Sequence, residues 1–370
     1  MNPAIKTKTR RLIILCSIAL FIFLLGLNSN VVESVYSGGL YPLTSVAQRF
    51  ISSLFPFAVG DFLYLFLIGY CLWSVFKAIR NFKVPGQRIL IPLQLINFIL
   101  ILYIVFKLLW GLNYSRPSIS GQLGISHQKY TTKDLVQLGD FLIGKVNNIK
   151  GQIQSAGTKK EAGITELESK SKYAYDKLAR INPFFRYRVP AVKPVLLDWI
   201  ITKTGIEGYY SPPSGEANVN MRLPPVGLPF VTCHEISHEL GVAREDEANL
   251  VGYLVSINSP DLNFQYSGYY NILRSVLLEI RIKSPEDFAI LYKKINEGTL
   301  ADFHLEQEFW KKYNSEMSGY MGSAFDQFLK INNQPKGRDS YQDIVLWVFN
   351  LYNQPGHSPL IPAQNKTLQP

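Results

Sequence analysis

Cysteine and charge are both scarce in this chain, and each scarcity excludes something. The three cysteines, Cys16, Cys71 and Cys233, show no CxxC spacing, and the first two lie inside apolar runs. Disulfides therefore neither staple the fold nor reveal its compartment. Charged residues make up only 18% of the 370, against 47% hydrophobic, a balance too apolar for a purely soluble chain. The net charge of +10 does not arise from a basic helix interleaved with aromatics, and no nucleic-acid module is present, so nucleic acid drops out as a partner. There is no internal repeat. Nor does a small-x-small cleavage site follow the first apolar run, which argues for an uncleaved anchor rather than a signal peptide.

What is plentiful is apolar sequence in the first third. LIILCSIALFIFLLGL (12–27) follows Lys6, Lys8, Arg10 and Arg11. VGDFLYLFLIGYCLWSVF (59–76) is followed by Lys77, Arg80, Lys83 and Arg88, and a third run covers 89–112. Three transmembrane helices, at about 12–28, 58–77 and 89–112, are expected within a membrane region of residues 1–114. Both basic clusters can face the cytoplasm with three spans. The positive-inside rule then puts the N-terminus inside and everything after about residue 113 outside, on the extracytoplasmic or periplasmic side. Residues 40–56 suggest an amphipathic segment on the outer surface.

Beyond the membrane region, 115–185 reads as a helical linker region, with Thr131–Thr132 placed to cap a helix. A second helix is expected over 159–181. Residues 189–223 are rich in β-branched and aromatic residues broken by Pro and Gly, the texture of several short strands. Helices are expected over 229–240, 244–257, 261–282, 285–296, 301–331 and 340–352. A metal-binding domain is thus bounded at 186–353, and the Pro-, Gln- and Asn-rich stretch 354–370 reads as a disordered tail.

The chemistry concentrates in PFVTCHEISHELGVAREDEANLVGYL (229–254). Two of only five histidines, His234 and His238, stand four apart, so a helix presents both imidazoles on one face for a single Zn²⁺. Glu235 cannot share that direction and is placed as general base for water on the metal. A catalytic zinc site needs a third protein ligand. Three residues after Gly241 the metzincin pattern would have a histidine, but Arg244 stands there and cannot bind a cation. A carboxylate from REDEAN must serve instead. Glu245 and Glu247 are about 200° apart on a helix, so only one can face the metal. Glu245 is preferred because Asn249, one turn on, can orient a ligating histidine; Glu247 is the alternative. As oxyanion donors, Tyr209, Tyr210, Tyr253, His304 and Tyr341 are the candidates.

HEISH followed by EDEAN resembles the HExxH…ExxxD arrangement of gluzincins, among them membrane-embedded and membrane-anchored zinc metallopeptidases. Carried over, the resemblance implies Glu245 as ligand and Asn249 as orienter, with Asn replacing the usual Asp and with a shorter gap between motifs. More closely, GYYSPPSGEANVN…LPFVTCHEISHELGVAREDEANLVGYL resembles an uncharacterised bacterial envelope family that joins N-terminal transmembrane helices to an HExxH domain. It implies N-terminal transmembrane helices plus a mainly helical α+β zincin-like domain with a small β-sheet, in a bacterial inner (cell) membrane. In zincins an edge strand before the HExxH helix pairs with extended substrate, and GEANVNMRL (215–223) sits where it is expected. Glu216 and Asn218 are then candidates for holding a substrate terminus or the loop itself. The implied activity is zinc-dependent hydrolysis of a protein or peptide substrate. The competing class is a non-catalytic envelope scaffold with a vestigial site.

Overall fold

A computed structural model of the chain describes residues 3–157, 162–313, 315–353 and 358–362, with Tyr341 described by its backbone alone. The chain divides into two compact units, residues 1–117 together with Ser211–Gly215, and residues 118–210 with 216–370.

The first unit is inside-out by the standards of a water-soluble protein. Helices Val59–Asn81 and Gln87–Leu109 are each long and apolar enough to cross a membrane. Pro3–Leu25 qualifies only together with Ser29–Ser53, to which it is bent by 98°. The bend falls where the first apolar run ends, at a helix start capped by Asn28, whose side chain accepts from the Val31 N–H. On these helices large apolar residues face outward, Phe66 at 77% exposure and Leu72 at 67%. Helix Tyr41–Ser53 does the same: Leu43, Phe50 and Ile51 are exposed, while Ser45, Arg49 and Ser52 are buried. Apolar outside and polar inside is stable only where the surroundings are themselves apolar. Polar groups pair internally, Arg116 with both oxygens of Glu33 at 2.8 Å and Ser37 with Asn113 at 2.8 Å. The loop Ser211–Gly215 belongs here because Gln48 Nε2 donates to the carbonyls of Pro212 and Pro213, and Ser52 Oγ to that of Ser214.

The second unit is mainly helical around one hydrophobic cluster. Residues expected as a linker contribute heavily to it. Helix Thr132–Ser155 buries Leu135, Leu138, Leu142 and Val146, and Ile164–Ala179 buries Leu167, Tyr175 and Leu178, all in the cluster that contains Cys233 and Ile236. The reason is amphipathic spacing: those residues recur every three or four positions and need a core to cover them. Thr131 and Asp134 form the capping box that starts the first of these helices.

The segment 189–223 yields three strands, β1 (Val192–Pro194), β2 (Gly208–Ser211) and β3 (Glu216–Val219), in sheet order β1-β3-β2. Strand β1 pairs parallel to β3, with Val192 opposite Ala217. A short helix, Asp198–Lys203, separates β1 from β2. The order corrects one expectation. GEANVN forms the central strand rather than an edge, and Glu216 and Asn218 are fully buried there. Strand β2 is an edge.

The remaining helices are Leu228–Glu239, Glu245–Asn258, Leu262–Lys283, Pro285–Tyr292, Glu297–Tyr313, Glu316–Ile331 and Ile344–Asn353. The stretch expected as one helix over 301–331 is two, because Ser315 is extended at φ −148°, ψ 164° and its hydroxyl bonds the Lys203 carbonyl. Most of the expected tail lies outside the described residues. Within it, Leu360 and Ile361 are buried in the core, and the Leu360 carbonyl accepts from Asn258 Nδ2 at 2.8 Å. Those two residues are therefore ordered by burial.

Candidate metal centre

Helix Leu228–Glu239 carries HEISH and is buried over its whole length. It ends because Gly241 adopts φ +79°, a left-handed turn that a side chain resists. That turn lets the Val242 N–H return to the Ser237 carbonyl and brings the Val242 carbonyl back to its own helix. There it lies 2.6 Å from His238 Nδ1. The pair assigns the proton to Nδ1 and leaves His238 Nε2 as a lone-pair donor.

Helix Glu245–Asn258 packs against the HEISH helix at close range. A Cβ on Gly252 would come 3.2 Å from the backbone of His234, so glycine sets the separation. This approach brings the Glu245 carboxylate to the imidazoles. His234 Nε2 lies 3.3 Å from His238 Nε2 and 3.3 Å from Glu245 Oε2, and His238 Nε2 lies 3.7 Å from that oxygen. Three ligands held tetrahedrally at about 2.0–2.1 Å from one ion must stand about 3.3–3.4 Å apart. The buried trio His234, His238 and Glu245 has that arrangement and can hold a metal ion.

Glu247 is turned elsewhere. Its Oε1 accepts the Ile119 N–H at 2.7 Å, with Arg244 3.8 Å away. Asp246 accepts from Trp347 Nε1 at 3.0 Å. So the three acids of REDEAN divide their work, and Glu245 alone among them joins the histidines. Asn249 acts on His234, favouring its charged form, yet no partner meets hydrogen-bond geometry at His234 Nδ1.

Burial and neighbouring carboxylates set the electrostatics of the site. Burial pushes the Glu235 carboxyl up to about 8, helped by Glu245 and Glu207 and opposed by His234. Burial holds His238 down to about 4 against the pull of Glu245. For His234 burial works the same way, but the carboxylates of Glu245 and Glu235 outweigh it and its pKa rises. Glu235 Oε2 is buried and has no hydrogen-bond partner. A cation seated among these groups would relieve the carboxylates and use both imidazoles in their neutral form.

Several site residues lay beyond sequence reasoning. Strand β2 passes directly over Glu235: a Cβ on Gly208 would lie 2.6 Å from Glu235 Oε1 and 2.8 Å from the Asn218 carbonyl oxygen. A glycine inside a strand-like run was the available signal. Glu239, buried one residue past His238, accepts the Ala217 N–H at 3.1 Å and so ties the helix to β3. Among the oxyanion candidates, Tyr253 is fully buried with its hydroxyl on that of Tyr352 at 2.7 Å, and His304 is exposed. Tyr209 and Tyr210 lie on β2, beside the site, while the Tyr341 side chain lies outside the described residues. Cys233, next to His234, is a buried thiol against Ser171, and burial pushes it up to about 11. It is a packing residue.

The family model described as "Protein of unknown function (DUF3810)" matches residues 36–349. The chain belongs to that family. The match takes in helices Val59–Asn81 and Gln87–Leu109 and every residue of the His234–His238–Glu245 trio. No curated protein and no solved structure matches the chain.

Proposed function

We propose that this protein is a membrane-anchored, zinc-dependent metallopeptidase of zincin-like type that hydrolyses peptide bonds on the extracytoplasmic side. One observation carries the reading: two imidazole nitrogens and a carboxylate oxygen stand 3.3–3.7 Å apart with the unpartnered Glu235 carboxylate on the same helix. Two histidines and one carboxylate, with a position left open, suit catalytic zinc better than the all-oxygen cages of magnesium or calcium. Zinc in such a site supplies Lewis acidity, drawing electron density from water and from a carbonyl oxygen.

The residues of the chain do the rest. His234, His238 and Glu245 are the ligands, and the Val242 carbonyl fixes the His238 tautomer. Glu235 removes a proton from water as its oxygen attacks the scissile carbonyl carbon. The same proton passes to the amine nitrogen as the C–N bond breaks. Strand β2, at the end of the sheet beside Glu235, would offer its main chain to an extended substrate. The proposed orientation rests on the lysines and arginines flanking the apolar runs, read by the positive-inside rule.

The test is metal analysis and peptide hydrolysis on the full-length protein in detergent, beside Glu235→Gln. Wild type should take up one zinc per chain and cleave peptides; the variant should keep the zinc and lose cleavage by a factor on the order of 10² or more. Wild type that takes up no zinc, or that carries zinc and cleaves nothing, would instead support a scaffold with a vestigial site.

A further inference from the structure

Helix Glu316–Ile331 is amphipathic, but its apolar side is turned outward. It joins its own unit along one line. Arg338 lies over Gly322, Asp326 Oδ1 accepts the Arg338 N–H at 2.9 Å, and Leu329 is buried. At about 100° per residue those three positions share a side of the helix. Met317, Tyr320, Met321, Phe325 and Ile331 form a second line, centred more than a quarter-turn away. All five are exposed, Tyr320 at 76% and Ile331 at 80%. Phe328 extends the line, stacked on Phe325. Ser323, Gln327 and Lys330 stand on the remaining, polar side. Apolar residues scattered singly over a surface are ordinary, whereas a continuous stripe marks an interaction.

The apolar surface continues past the start of the helix. Ser315 Oγ donates to the Lys203 carbonyl at 3.0 Å, and a Cβ on Gly205 would lie 3.6 Å from Ser318 Cβ. Helix Asp198–Lys203, held alongside in this way, exposes Leu197 and Trp199, with the Lys203 ammonium 5.3 Å from the Trp199 ring centre. A tryptophan with a lysine over it suits the edge of a bilayer, where the ring sits among headgroups and the ammonium reaches water.

Size and charge select the occupant. A stripe on a sixteen-residue helix measures about 24 Å by about 10 Å, or about 240 Å², against the about 800 Å² that each partner gives to a stable protein interface. A second copy is therefore a poor fit. A bilayer needs no such area, because helices of membrane-crossing length in the same chain keep it within reach. Residues 311–338 carry five basic side chains and two acidic ones, a balance that matches anionic headgroups.

We propose that helix Glu316–Ile331, together with Trp199, lies on the lipid surface. Its Tyr320 side enters the boundary between headgroups and acyl chains, and its Gln327 side stays in water. The inference rests on the membrane anchoring in the reading above and not on its peptidase chemistry.

The experiment uses the full chain in nanodiscs of phosphatidylcholine and phosphatidylglycerol. Cys16 and Cys71 are replaced by alanine, Cys233 being buried, and a bimane label is attached in separate samples at Tyr320→Cys, Gln327→Cys or Phe66→Cys. These are the stripe, polar-side and span labels. Doxyl-labelled lipid should quench the stripe label about twofold or more beyond the polar-side label, and aqueous iodide should do the reverse. Met317→Glu/Phe325→Glu should abolish the lipid quenching of the stripe label with the melting temperature retained. Iodide quenching as strong on the stripe as on the polar side overturns the proposal. So does a stripe label shielded from both quenchers, which would mean a cover of protein, or lipid quenching that survives the double substitution. The span label keeps the two readings apart. It is quenched by lipid in all of these cases if the chain is anchored, and its failure to be quenched would sink the anchoring and the proposal together.

Discussion

At the scale of single residues, the division among Glu245, Asp246 and Glu247 is the sharpest result. Sequence alone narrowed the third ligand to Glu245 or Glu247, because 200° of helix separates them. It preferred Glu245 through Asn249, one turn on, but could not show what occupies Glu247, since that depends on where the neighbouring chain runs. Glu247 Oε1 holds the Ile119 N–H at 2.7 Å, a residue 128 positions away. Glu245→Ala should therefore abolish stoichiometric zinc uptake. Glu247→Ala should keep zinc but lower stability by about 1–3 kcal/mol, the cost of a buried N–H left without its acceptor. Zinc titration and thermal melts on both variants separate the two roles; equal loss of zinc in both would refute the assignment. A second expectation concerns pH. In metal-free protein Glu235 has a pKa of about 8 against an ordinary 4.5. Between those values the folded state holds a proton that the unfolded chain has released, so stability falls as pH rises through that window. His238, held near 4 against 6.5, works oppositely and costs stability as pH drops from 6.5 towards 4. Metal-free Glu235→Gln should thus melt higher than metal-free wild type at pH 8.5, and the gap should close towards pH 4.5. Melts with chelator present check it, and a pH-independent gap contradicts it.

At the scale of elements, the HEISH helix, the Glu245 helix and strand β2 form the site by close approach. The helices were legible because i, i+4 spacing and helix stops are local signals, and His234, Gly241 and the REDEAN helix all fall where those signals put them. The sheet order was not legible. Three strands of three or four residues can pair in several orders, and the burial of Glu216 and Asn218 in β3 is decided by neighbours on both sides. The consequence is that β2, with Gly208, is the strand that meets Glu235. Gly208→Ala inserts a methyl group 2.6 Å from Glu235 Oε1. Its carboxylate must move, and catalysis should fall on the order of 10²-fold while zinc uptake persists. Parallel zinc and kinetic assays would show this, and unchanged turnover would remove Gly208 from the site.

At the scale of the whole molecule, two environments are written into one chain. Residues 1–117 expose leucine and phenylalanine and bury serine and arginine, while the second unit does the reverse around a single core. The first arrangement is stable in lipid and the second in water. The proposed orientation, with both basic clusters cytoplasmic, predicts that a periplasmic alkaline phosphatase fused after residue 120 is active and a cytoplasmic reporter at that point silent. The opposite pair of results would invert the orientation and move the proposed peptidase inside the cell.

Local physics made much of this protein readable from its amino acids. Apolar runs of membrane length, basic flanks, and two histidines on one helical face with a glutamate beside them need no long-range information. Tertiary structure alone decided what depends on distant segments meeting: Glu247 drawn to the Ile119 N–H and away from the imidazoles, the Val242 carbonyl on His238, the residues 118–185 as core, and β2 over Glu235. Those outcomes are set by packing between elements, and packing is not periodic in the sequence.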